Sequence, residues 1–208
     1  MVINPKDQIY SENYKLMIGS IVPRPIAFVS TISINGVYNL APFSFFTGVI
    51  SNPPTVLFCP IRKPGEGTPK DTLINIRETG EFVINIVTED IAEPMNKCAT
   101  DFPYGIDEFQ ESGLTPIPAQ IVNAPMVKES PIHFECKLNQ IIEIGNPGPG
   151  SGFIVVGEIV LFHIADNLYK NGRIDIEGLK PVGRLAGAEF TKMGERFSLV
   201  RKPFIPKS

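Results

Sequence analysis

The dipeptide Asn35-Gly36 lies between two runs of β-forming residues, Ile26 to Ile32 and Val37 to Ala41. Asn-Gly tolerates positive φ at both central positions of a type I′ turn, so this pattern is the strongest short-range signal for a two-stranded antiparallel hairpin. It predicts that the chain is built from paired strands. The 20 prolines and 18 glycines point the same way. Proline cannot donate to a sheet ladder, and both residues punctuate strands with turns. Pro23 and Pro25 impose extended backbone before the first strand, and Asn52-Pro53-Pro54 breaks the run that follows the hairpin. Thr55 to Ile61 reads as a further strand ending at a polar loop, Arg62 to Pro69. Phe82 to Val87, His133 to Ile144 and Phe153 to Ile164 are also strand-like, the last two joined by the loop Gly145 to Gly152.

Helical spacing is confined to short stretches. Ser11 is expected to cap a helix to Met17. Asp71 is expected to cap one whose apolar face is Leu73, Ile74 and Ile76, stopped at Gly80. Thr88 is placed to cap a third, with Glu89 and Asp90 in its positive first turn and Pro94 opposing an unbroken helix. A fourth spans Asp107 to Ser112 and stops at Gly113, and the tail from Gly178 reads as a loop-rich cover. Regular alternation of strand and helix is lacking, which argues against a parallel dinucleotide-binding sheet. The expected fold is mainly β with peripheral helices: an antiparallel barrel, closed or nearly so, in a single domain over residues 1–208.

Composition excludes several functional classes. A formal net charge of -3 with 20% charged residues is not a nucleic-acid footprint. The apolar runs are strand-length, too short to span a membrane, and no secretory leader pattern opens the chain, so a cytoplasmic protein is expected. Cys59, Cys98 and Cys136 are an odd, widely spaced set, expected as buried thiols. No nucleophile elbow or acid–base carboxylate pair stands out. His133 and His163 lack a ligand set for a metal, and His163 at a strand end is a weak candidate to meet a ligand.

Three segments concentrate polar groups among apolar ones. In Lys70-Asp71-Thr72, unpaired N–H groups and the positive dipole end of a helix favour a phosphate, with Lys70 adding charge and Thr72 a hydroxyl. In Asn39 to Phe46, Pro42 is expected to end or bulge the strand, leaving amides between Ala41 and Phe45 free beside the flat rings of Phe43, Phe45 and Phe46. In Arg24 to Thr31, Arg24 sits on a stiff proline-flanked stretch suited to an anion clamp or a salt bridge, and Ser30 and Thr31 end a strand. Each segment also has a structural reading: a solvated helix cap, an aromatic core cluster, and hydroxyls bonded to backbone.

Taken together, RPIAFVSTISINGVYNLAPFSFFTGVISNPPTVLF (Arg24 to Phe58), KDTLINIRETGEFVINIV (Lys70 to Val87) and GRLAGAEF (Gly183 to Phe190) resemble the flavin reductase-like family, FMN-binding split barrels that include flavoredoxin. The resemblance implies FMN near a homodimer interface. Ser30 and Thr31 would edge the flavin ring. Asn39, Ala41, Pro42, Ser44 and Phe46 would hold ring and ribityl chain. Lys70, Asp71 and Thr72 would meet the phosphate, and Arg184 would close the pocket. Ala186 departs from the Gly-Gly expected in many relatives. The implied activity is NAD(P)H-dependent flavin reduction, with NADH or NADPH giving hydride to flavin N5. An FMN electron carrier serving a redox protein partner, or a ligand-binding barrel without redox chemistry, are the alternatives.

Overall fold

The computed structural model describes residues 1–65 and 67–204; Glu66 of the predicted polar loop and the last four residues lie outside this range. A helix α1 (Tyr10–Ser20) precedes strands β1 (Ala27–Ile32), β2 (Tyr38–Phe43), β3 (Phe46–Ser51) and β4 (Pro54–Phe58). Helix α2 (Asp71–Thr79) leads into β5 (Glu81–Ile86), followed by α3 (Ala92–Lys97) and α4 (Glu108–Ser112). The short pair β6 (Pro116–Ile117) and β7 (Met126–Val127) precedes the long strands β8 (Ile132–Ile144) and β9 (Gly152–Ile164). Beyond them come β10 (Tyr169–Lys170), β11 (Arg173–Ile174), α5 (Ile176–Leu179), β12 (Val182–Arg184) and β13 (Phe190–Lys192).

Seven strands form one antiparallel sheet in the order β2-β1-β5-β8-β9-β4-β3. Its two edge strands, β2 and β3, are consecutive in the chain and joined by the bend Ser44-Phe45. The sheet curls on itself without a ladder across that seam, so the barrel is split. Ala27 and Val29 of β1 face the barrel interior with Phe58, Phe82, Leu73 and Ile76. Ile26 and Phe28 face outward onto Met95 and Phe109 of α3 and α4. Two buried faces explain why β1 reads as an almost continuous apolar run rather than an alternating one. Phe28, Phe58 and Phe82 are fully buried, each contributing about 1.5–3 kcal/mol by removal from water.

Four local expectations are corrected. Ile9, without a side-chain cap bond, precedes α1, so Ser11 lies inside the helix. In the Asn35-Gly36 hairpin, Gly36 alone takes positive φ (82°). Gly36 N–H donates to Ser33 O and Ser33 N–H to Val37 O, which is the three-residue loop with a left-handed glycine rather than a two-residue type I′ turn. The cap of α2 is Lys70, and Asp71 is its first residue. The tail from Gly178 contains the β12–β13 hairpin, and the bridge between Arg24 and Arg184 ties it to the start of β1.

Candidate functional site

Pro42 lies in regular register opposite Phe28, with neither bulge nor break. The reason is its position on an edge strand. Leu40 N–H points away from the sheet and donates to Glu108 Oε2 at 2.9 Å. Backbone direction alternates along a strand, so Pro42 also faces outward, where no ladder bond is lost. The amides of Ala41 and Phe43 therefore face β1, and free N–H groups are found instead at the bend: among the described residues, Ser44 and Phe45 N–H make no hydrogen bond.

An open cleft runs along this edge, between β2, the start of α2 and the segment after α3. Asn39, Ala41, Pro42, Lys70, Asp71 and Thr72 line it, joined by Lys63 and Glu108. A second hollow shares Pro42 and Ala99 with the first and continues the groove to Ser44, Tyr14 and Arg184. Eight of the twelve residues singled out from the sequence thus border one groove.

At the α2 end, the N–H groups of Asp71 and Thr72 make no hydrogen bond among the described residues, while Leu73 and Ile74 N–H reach Lys70 O. The Asp71 carboxylate is occupied by Lys63 Nζ at 2.7 Å, and Lys70 pairs with Asp101. The Thr72 hydroxyl donates to Asn39 Oδ1 at 2.7 Å, and Asn39 Nδ2 donates to the Glu108 carboxylate, 3.0 Å from each oxygen. Burial pushes the Glu108 carboxyl up to about 7; the Leu40 N–H and Asn39 oppose the rise and Asp71 adds to it. These donors fit an anionic head group: a helix start of nine residues with open N–H groups and two lysines.

Four predicted residues sit elsewhere. Arg24 is buried and donates to Ile18 O, Ile21 O and Leu185 O, each at 2.8 Å, and to Ser44 Oγ at 3.2 Å. It is a tie between α1, the bend and the C-terminal hairpin, neither a salt bridge nor a clamp open to the groove. Ser30 and Thr31 are fully buried, Ser30 donating to Pro125 O and Thr31 to Asn39 Oδ1. Thr31 supports the groove through Asn39, whereas Ser30 points to the opposite face of the sheet. Phe46 starts β3 and packs against the barrel core. Of the eight at the groove, Arg184 stacks on Phe190, 4.4 Å from the ring centroid.

Sequence reasoning missed Lys63 and Glu108. Lys63 lies in a Gly- and Pro-rich loop, and Glu108 reads as an ordinary acid in a helix first turn; only the fold brings both beside β2. His163 lies on another face, its Nε2 2.5 Å from the buried Glu135 carboxylate, and His133 Nδ1 meets Asn85 Oδ1 at 2.9 Å. The three thiols are unpaired. Burial pushes Cys98 up to about 11 and raises Cys59 and Cys136, so none is a thiolate nucleophile near neutral pH. Cys59 is only half-buried, just past the end of β4.

The same groove and edge-strand geometry is set in a fold with known relatives. The flavin reductase like domain profile matches residues 18–178. An uncharacterized protein of Halalkalibacterium halodurans is 45% identical over 203 residues, 97% of this chain and 96% of the relative. The crystal structure of nitrilotriacetate monooxygenase component B from Bacillus cereus superposes with a TM-score of 0.91 at 42% identity, covering 96% of this chain and 98% of that one. The structure of the Pseudomonas fluorescens 2-nitrobenzoate 2-nitroreductase NbaA gives a TM-score of 0.87 at 32% identity, covering 100% and 99%. With a split barrel, this identity and coverage from end to end, the chain belongs to the flavin reductase like domain family.

Proposed function

We propose that the protein is an FMN-binding oxidoreductase that accepts hydride from NADH or NADPH. The observation that carries this reading is the groove along β2, which joins an anion-ready helix start to an apolar strand edge with free backbone donors. The open N–H groups of Asp71 and Thr72, with Lys63 and Lys70, would hold the phosphate. Ala41 and Pro42 offer a flat wall, and the Ser44 and Phe45 N–H groups are free to donate to ring heteroatoms. FMN, when bound, supplies the hydride-accepting N5. The chain's residues bind, orient and polarise; no nucleophile or acid–base pair is required of them, in keeping with protonated thiols and a groove without histidine.

A homodimer and a cytoplasmic setting belong to the same reading. Val49 and Ile50 on the β3 edge and Tyr10, Tyr14, Leu16 and Met17 on α1 are exposed apolar side chains, a surface that supports contact with a second copy. No helix among the described residues is long and apolar enough to cross a membrane. The test is anaerobic mixing of the FMN-loaded protein with NADH and with NADPH: loss of the oxidised flavin band with either supports the reductase. Failure of both removes it in favour of an FMN carrier fed by a protein partner.

A further inference from the structure

The carboxylates around the α2 end of the groove outnumber the cations. Lys63 and Lys70 face Asp71, Asp101 and Glu108. Both lysines are already paired, so an entering phosphate meets a cluster whose balance depends on Glu108. That side chain is 6% exposed and held by the Asn39 amide and Leu40 N–H. The other titratable groups packed around α4 are the Cys98 thiol just past α3, protonated near neutrality, Lys97 at the end of α3, whose exposed Nζ donates to Glu111 O, and Tyr38 of β2, whose ring packs on Phe109; on α4 itself Asp107 caps the helix and Glu111 lies in its first turn. With Glu108 neutral the two lysines and two remaining aspartates balance; with Glu108 ionised the cluster is net negative.

We infer that Glu108 is the proton-linked wall of the phosphate end: it takes up a proton as a phosphorylated ligand enters, so retention of such a ligand weakens as pH rises above neutrality while an unphosphorylated analogue is held equally well. This rests on the proposed flavin reading and adds to it a residue and a regulation. One carboxyl both clamps the edge strand through Leu40 N–H and lines the cleft in which the anion would sit. Its ordinary value is already displaced upward by burial, and a nearby dianion displaces it further in the same direction. Binding therefore carries a proton from solvent to Glu108, and affinity falls as that proton becomes harder to supply.

The experiment is equilibrium titration of the full chain with FMN and with riboflavin, followed by flavin fluorescence, at about pH 7 and about pH 8.5. If the ligand raises the Glu108 pKa by about 1–1.5 units, the FMN Kd rises about four- to eightfold over that interval. The phosphate's own second ionisation, with a pKa of about 6, is largely complete there. Riboflavin is expected to change less than about twofold, and Glu108→Gln is expected to abolish the FMN dependence. A flat FMN profile in the wild type, or the same rise in Glu108→Gln, overturns the inference while leaving the flavin reading intact. Absence of binding by both flavins at both pH values overturns the flavin reading and this inference together. Because Gln presents an amide to the Asn39 amide, a wild-type readout is needed as well: the carbon-13 resonance of the Glu108 carboxyl is expected to titrate with a midpoint that moves up when FMN is added. An unmoved midpoint overturns the inference.

Discussion

Replacing Glu135 by Gln tests how a loop is packed over this barrel. Glu135 is fully buried on β8. Its Oε1 accepts from Gln120 N–H at 2.8 Å and His163 Nε2 at 2.5 Å, and its Oε2 from Ile121 N–H at 2.7 Å and Val122 N–H at 2.9 Å. The segment between β6 and β7 is thereby pinned to the sheet. Gln keeps one acceptor oxygen and turns an NH₂ toward donors, so at least two charge-assisted bonds are lost at about 1.5–3 kcal/mol each. The expected cost is about 3–5 kcal/mol, which for a chain of this size lowers Tm by about 6–20 °C. Burial alone would raise the Glu135 pKa, but the Gln120 N–H, His163 and the two further amides outweigh it and leave it below the ordinary value. A depressed carboxylate contributes stability above its unfolded pKa that is lost as pH falls through the folded one. The gap between wild type and Glu135→Gln is therefore expected to narrow in acid. Thermal denaturation followed by circular dichroism at neutral and acid pH measures both effects. A Tm change under about 2 °C at neutral pH, or a gap that widens in acid, would refute the reasoning.

Three other outcomes follow from the same geometry. Gly157→Ala places a Cβ 2.8 Å from Phe82 Cε1 and closer to Cζ in the barrel core; overpacking is expected to cost about 1–3 kcal/mol in denaturant unfolding. Glu108 has a folded pKa raised from 4.5 to about 7, so its contribution is full below the unfolded value and is lost as pH rises to the folded one. Relative to Glu108→Gln, the wild type is expected to lose up to about 3 kcal/mol over that window, read by urea unfolding at each pH. Cys98 and Cys136, buried and protonated, are expected to resist a thiol reagent in the native protein and to react on unfolding; rapid native labelling of either would contradict their placement.

Local features were legible where the physics is local. The Asn35-Gly36 hairpin, the Gly113 stop and the long β8–β9 pair depend on residues near one another in the chain, and periodicity finds them. The turn type did not follow, because Asn35 need not take the left-handed conformation when Gly36 does so and the loop gains a residue. Pro42 misled for a related reason: proline breaks an interior strand, but nothing in Asn39 to Phe46 says that this strand lies at an edge. The groove was legible in part, since a helix start and an edge strand each carry their own signature. Arg24 and Glu108 were not. Arg24 finds Leu185 O from 161 positions away, and Glu108 reaches Leu40 N–H from 68 positions away. Such pairings exist only once the fold has brought the C-terminal hairpin against the start of β1 and α4 against β2.

The groove's role is tested most directly by titrating the purified protein with FMN and riboflavin, in wild type and in the double variant Lys63→Ala/Lys70→Ala. Wild type is expected to bind FMN stoichiometrically, and the double variant to weaken FMN by about 1–3 kcal/mol per charge-assisted bond lost while riboflavin affinity stays nearly constant. A wild-type protein that takes up neither flavin, or a double variant that loses both ligands equally, would contradict the assignment of the α2 end as the phosphate site.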